Sequence, residues 1–314
     1  MPLIKHHGAT DGVTGSCHEL ILSDGRSVLI DCGLFQGAET SADGAGSGRL
    51  GIDFPLAPVQ ALIVTHVHID HIGRLPHLIA AGYRGPLICS EASAELLPLV
   101  LEDALKVGVT RDARLIEGVL HLVGKRLLPL PYGQWYEVIK GDPGLRVRLQ
   151  QAGHILGSAY VECELWQEGR TCQRVLFSGD LGPPNTPLLP DPTPPTRADV
   201  VVLESTYGDR CHEDRQRRHQ RLRDLVEHAF RDGGTLLIPA FSIGRTQELL
   251  YELERLVHEE GLKGDGPGGK WDWGRAGGGA GFTPGGGYHQ RLKPAEKILG
   301  PRGEDGTGGR TAPP

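Results

Sequence analysis

Short apolar runs separated by turn residues fill the first part of the chain. Glu19 to Leu22 and Ser27 to Ile30 flank Ser23-Asp24-Gly25-Arg26, the pattern of a β-hairpin. Ala61 to Val64 is apolar but too short for a helix and reads as a buried strand. Leu75 to Ala81 reads as a short helix stopped by Gly82. Pro86 to Cys89 is a further strand, and Ser90 is placed to cap a helical region over residues 91–124. Strand-like stretches follow near 145–150, 159–166 and 173–178, then a proline-dense loop at 183–195. Val200 to Leu203 reads as another buried strand, Asp214 to Arg231 as an arginine-rich helix, Gly234 to Pro239 as a strand, and Gly244 to Glu259 as an amphipathic helix. Strands first and mixed helices later predict an α/β sandwich rather than a helical bundle.

This patterning stops near residue 262. Between Lys263 and Pro314, 17 of 52 residues are glycine, and apolar residues keep no period. Such a segment buries too little apolar surface to offset its ordering entropy and is expected to be disordered. The glycine-rich stretch at 44–51 is expected to be a loop. The full chain of 314 residues is long enough for one large core or two domains. Its net charge of −6 excludes a global basic field, so a polyanion must be held by local cations or by metal. The six cysteines form no Cys-x-x-Cys pair, which argues against a disulfide framework and suits a reducing cytoplasm. Met1 to Thr10 lacks the apolar core of a signal peptide, and no run approaches the roughly 18 apolar residues of a membrane span.

The candidate chemistry lies directly after the Ala61 to Val64 run. Thr65-His66-Val67-His68-Ile69-Asp70-His71 places three imidazoles and a carboxylate within six positions. His66 and His68 alternate and so share one side of an extended backbone. Asp70 and His71 can turn toward a second centre. These are ligand types of zinc and related divalent metals, in one site or two adjacent sites; the bland alternative is a solvated histidine-rich loop. His154, in Gly153-His154-Ile155-Leu156-Gly157, and Asp180, after the apolar run Val175 to Phe177, could complete such a site. Alone, His154 would be structural or exposed, and Asp180 a turn residue.

Together, Thr65 to His71, Gly153-His154 and Ser178-Gly179-Asp180 resemble the successive metal-binding motifs of the metallo-β-lactamase fold, an αββα sandwich. Gly15-Ser16-Cys17 and Asp31-Cys32-Gly33 resemble its first strands. Gly73-Arg74-Leu75-Pro76, Val202 to Arg210 and Ile238 to Glu248 are similar to the β-CASP branch, nucleases that cut RNA. The likeness covers residues 3–262. It implies that His66, His68 and His154 bind one zinc, that Asp70 and His71 bind a second, and that Asp180 bridges them. It implies hydrolysis of RNA phosphodiesters by a two-metal-activated water, with Asp70 and Glu204 in catalytic roles and Glu204 orienting catalytic groups. Tyr207 and Arg210 would line the entrance. RNA is then the expected partner; a homo-oligomer is compatible, and a membrane is not expected. Residues 1–208 correspond to the metallo-β-lactamase-like domain, 209–262 to the start of a β-CASP domain, and 263–314 to the tail.

The family carries two further histidines beyond its cap domain, and neither has a match here, so the chain reads as truncated and its second zinc site as incomplete. Three readings therefore stand: an RNA hydrolase, an impaired remnant that binds without cutting, and a small-molecule hydrolase of thioesters or lactones. The arginines at 210, 215, 217, 218, 221 and 223 form either a basic track for RNA or a solvated helix face, since Glu213, Asp214 and Asp224 interleave with them.

Overall fold

A computed structural model describes residues 2–10, 12–36, 50–211, 217–232 and 236–258. The expected loop at 44–51 lies mostly outside these residues, and the glycine-rich tail entirely so. The first sheet is built in chain order from β1 (Leu3–Gly8), β2 (Cys17–Ile21), β3 (Ser27–Ile30), β4 (Val59–Ile63), β5 (Leu87–Ser90) and β6 (Leu127–Leu130). Its first three strands are antiparallel neighbours, and β3 to β6 run parallel. The second sheet holds β7 (Trp135–Ile139), β8 (Gly144–Gln151), β9 (Ala159–Gln167), β10 (Arg170–Phe177) and β11 (Val200–Val202), in the order β11-β10-β9-β8-β7. Only β10 and β11 pair in parallel there.

Residue alternation assigns each strand face to its layer. Ala61 and Ile63 of β4, with Val28 and Ile30 of β3, pack against Val147, Val161, Cys163 and Phe177 of the second sheet. The intervening Leu29 and Leu62 face the other way, toward helices. Those helices are α1 (Ile69–Ile72), α2 (Leu75–Ala80), α3 (Glu91–Gly108) and α4 (Ala113–Gly124). They contribute Ile72, Leu75, Leu78, Leu97, Leu101 and Val123 to the outer core. On the far side of the second sheet, Glu162 and Glu164 of β9 pair with Arg148 and with Arg146 and Arg174. Trp135 lies beneath those three guanidinium groups. Two later helices, α5 (Arg218–Asp232) and α6 (Arg245–His258), meet through Val226, Leu253 and Leu256. No helix among the described residues is long and apolar enough to cross a membrane.

Three expectations are corrected. The helical region 91–124 is two helices, because Asp112 caps a new start by accepting from Arg114 N and Leu115 N. The Ser90 cap does form, accepting from Ser93 N at 3.1 Å. Val200 to Leu203 is not buried: β11 is an edge strand, and Val201 and Leu203 are exposed. Residues 236–240 form no strand.

Backbone bonds seat the histidine-rich turn. Ser16 N donates to Asp70 O, Cys32 N to His71 O, and Arg74 N to Cys32 O, each within 2.8–2.9 Å. Gly33 N donates to Ser16 O at 2.8 Å, and a Cβ on Gly33 would sit 1.5 Å from Asp70 O. Only glycine allows that approach. Gly33→Ala should therefore destabilise the fold by about 1–3 kcal/mol, read from the urea midpoint, because the opposing atom is backbone and cannot rotate away. An unchanged midpoint would contradict the close packing of these segments.

Candidate metal centre

The site forms where strands of both sheets end. After β4, Val64 and Thr65 are fully buried, and the chain turns through His66 and His68 into the single turn of α1 carrying Asp70 and His71. His154 enters from the β8–β9 connection and Asp180 from the loop after β10. Gly179, at φ +52°, lets that loop pass against Thr65, whose Cβ would lie 2.7 Å from an added methyl.

Four ligand atoms converge. His66 Nε2 lies 3.1 Å from His68 Nδ1, which lies 3.2 Å from His154 Nε2. Asp180 Oδ2 is 3.7 Å from His66 Nε2 and 3.5 Å from His154 Nε2. All four lie within 4.8 Å of one another, and they are the one such group among the described residues. Ligands around a tetrahedral zinc at about 2.0–2.1 Å stand roughly 3.3 Å apart, and four of the six spacings here, 3.1–3.7 Å, lie near that value.

The outward ring nitrogens set the tautomers. His66 Nδ1 donates to Thr65 Oγ1 at 3.1 Å, and His68 Nε2 to Ile243 O at 3.4 Å. Each bond leaves the inward nitrogen with a lone pair. Burial lowers the pKa of His66, His68 and His154, the last to about 4, which keeps all three in the neutral, ligating form. Converging lone pairs repel, and a cation between them removes that repulsion. The donor set thus fits a divalent metal.

Asp70 and His71 lie beside this group. His71 Nε2 is 3.2 Å from Asp180 Oδ1 and 3.9 Å from Asp70 Oδ2. Burial would lower the His71 pKa, but the charge of Asp31 and bonds to Asp180 and Asp31 outweigh it and raise it well above normal. Asp180 thus presents one oxygen to each side. A cavity of about 340 Å³ adjoins His71 and Asp180 and is walled by His18, Ser178 and Glu204.

Sequence reasoning missed Asp31. Its carboxylate is buried and accepts from Thr65 N at 2.8 Å, Thr65 Oγ1 at 2.8 Å and His71 Nδ1 at 2.7 Å. Through Thr65 and His71 it orients two imidazoles, the role a carboxylate plays behind a metal-bound histidine. The available signal was an aspartate ending the strand before the histidine-bearing one. Glu204 instead holds backbone: it accepts from Leu181 N at 3.3 Å and Thr206 N at 3.1 Å, bracing the residue after Asp180. Of the arginine series, Arg210 pairs with Asp209, Arg218 with Glu252 and Arg223 with Glu227, so much of that charge is locally offset; Arg215 lies outside the described residues.

Residues 13–240 match the model of the metallo-beta-lactamase superfamily, in accord with the two-sheet α/β architecture. Ribonuclease TTHA0252 of Thermus thermophilus is 43% identical over 248 residues, which cover 78% of this chain and 53% of that protein. Transcription termination factor FttA of Methanothermobacter thermautotrophicus is 34% identical, over 77% of this chain and 38% of that protein. Cleavage and polyadenylation specificity factor 73 of Drosophila melanogaster is 30% identical, over 80% of this chain and 35% of that protein. The chain thus spans between about a third and a half of the length of these relatives.

Asp31→Asn keeps the volume but removes the charge behind Thr65 and His71. Metal affinity should fall about 10- to 100-fold, measured by competition with a chromophoric chelator. Unchanged affinity would show that Asp31 does not support the ligands.

Proposed function

We propose that this chain, which belongs to the metallo-beta-lactamase superfamily, hydrolyses RNA phosphodiesters in the manner of the β-CASP branch with zinc as its metal. One observation carries the reading: three imidazoles and a carboxylate converge within ligand distance of one another. The RNA substrate is supported by relatives named as a ribonuclease and an endoribonuclease. Zinc is supported by a four-member nitrogen and oxygen donor set.

His66, His68, His154 and Asp180 would hold one ion, and Asp70 and His71 a second that shares Asp180. A divalent metal bound here supplies Lewis acidity and lowers the pKa of water. The protein's own contribution is to hold those groups still. Asp31 fixes His71 directly and His66 through Thr65. Glu204 fixes the loop that carries Asp180. Burial keeps the first three imidazoles unprotonated. The cavity beside His71 and Asp180 gives a phosphodiester access to that side. In this reading residues 1–208 form the hydrolytic domain and 209–262 begin the cap, and the cytoplasm is its compartment, with all six cysteines unpaired.

One observation favours a second reading, in which the chain binds RNA without cutting it. Among the described residues, Asp70 and His71 gather no further ligand beside Asp180, and their side of the site is the sparser one.

Cleavage of 5′-labelled single-stranded RNA by the purified chain separates the two. The hydrolase reading predicts metal-dependent products, and a loss of about 100-fold or more in Asp180→Ala with unchanged far-UV circular dichroism. Equal cleavage by that variant would overturn the metal assignment. RNA bound but uncut would favour the second reading.

A further inference from the structure

The loop before α6 carries an aromatic ring that the hydrolytic chemistry does not use. Phe241 is 76% exposed, and its ring centroid lies 6.4 Å from that of His68, tilted by 44°. Single exposed apolar side chains are ordinary. This one differs in how it is held. Phe241 O accepts from Thr246 Oγ1 at 2.6 Å and from Thr246 N at 3.3 Å. Ser242 O accepts from Gln247 Nε2 at 3.1 Å, and Gly244 N donates to Gln247 Oε1 at 2.7 Å. Ile243 anchors the loop in the outer core and accepts from His68 through its carbonyl. The first turn of α6 thus locks the backbone beneath an open ring, beside a candidate metal ligand.

A cation stands one helical turn away. Arg245 is exposed and bonds Glu248 Oε2 through Nη1 at 2.8 Å, a single bond that uses one of the five N–H donors of the fork. An open aromatic face with a guanidinium nearby is how proteins hold a single-stranded nucleic acid: the ring stacks on a base, and the fork meets a phosphate. The net charge of −6 and the paired arginines of α5 make such a local contact more important.

We propose that Phe241 is a base-stacking platform for a nucleotide adjoining the cleaved linkage, with Arg245 contacting its phosphate. This inference rests on the RNA-hydrolase reading. Stacking is tolerant of base identity, so the platform would position the strand without imposing a sequence.

The test is fluorescence anisotropy with the metal-loaded full chain and a labelled oligouridylate whose phosphorothioate linkages resist hydrolysis. Phe241→Ala should weaken binding about tenfold, and Phe241→Trp should stay within about twofold of wild type. An abasic ribose-phosphate strand should bind wild type and Phe241→Ala alike. Equal oligouridylate affinity in wild type and Phe241→Ala would overturn the platform alone. An equal loss on the abasic strand would also overturn it and assign the ring to packing or protein docking. No binding of oligouridylate by the wild type would instead remove the RNA reading itself.

Discussion

The buried carboxylate of Asp31 is the constraint on which the site depends. It is 1% exposed and sits at φ +61°, a conformation that costs a non-glycine residue of order 1 kcal/mol or more. Three short bonds to Thr65 and His71 hold it there, and Ser16 Oγ adds a fourth contact at 3.3 Å. A buried carboxylate without such donors would be strongly unfavourable. With them, it becomes a fixed reference for the imidazoles of His66 and His71.

Thr65 passes that reference to the second sheet. Its carbonyl accepts from Ala159 N at 2.8 Å, joining the end of β4 to the start of β9. Gly179 packs against its side chain, which places the Asp180 loop from β10 over the same point. The ligands thus come from three separate stretches, and the Asp31–Thr65 pair bonds directly to His66 and His71 and to the start of β9. Burial favours the neutral form of three rings, and the fourth, His71, contacts Asp180. A cation among these groups would remove the repulsion between their lone pairs.

Local chemistry was readable in the chain where it was dense. The Ser23 to Arg26 hairpin and the Ser90 cap depend on neighbouring residues and take their expected form. Long-range geometry was not readable. Asp31 looks like any strand-end carboxylate until the parallel pairing of β3 with β4 brings it to Thr65. β6 escaped notice because Pro129 breaks the strand pattern, which an edge position permits. Val200 to Leu203 is as apolar as a core strand, and only its place at the sheet edge explains its exposure. The break at Asp112 hid inside a continuous apolar period, where a cap outweighs the pattern.

Charge raises the question of how an acidic chain would hold RNA. Two arginines of α5, Arg218 and Arg223, pair with Glu252 and Glu227, which offsets part of the positive field. Attraction for a polyanion then falls to the metal centre and the groups around its mouth, which makes the identity of that centre the central claim. X-ray absorption at the zinc edge of the purified full chain tests it most directly. A centre of His66, His68, His154 and Asp180 gives a shell of nitrogen and oxygen at about 2.0–2.1 Å with the multiple scattering of imidazole. A sulfur shell near about 2.3 Å, or a chain that retains no zinc, would contradict it.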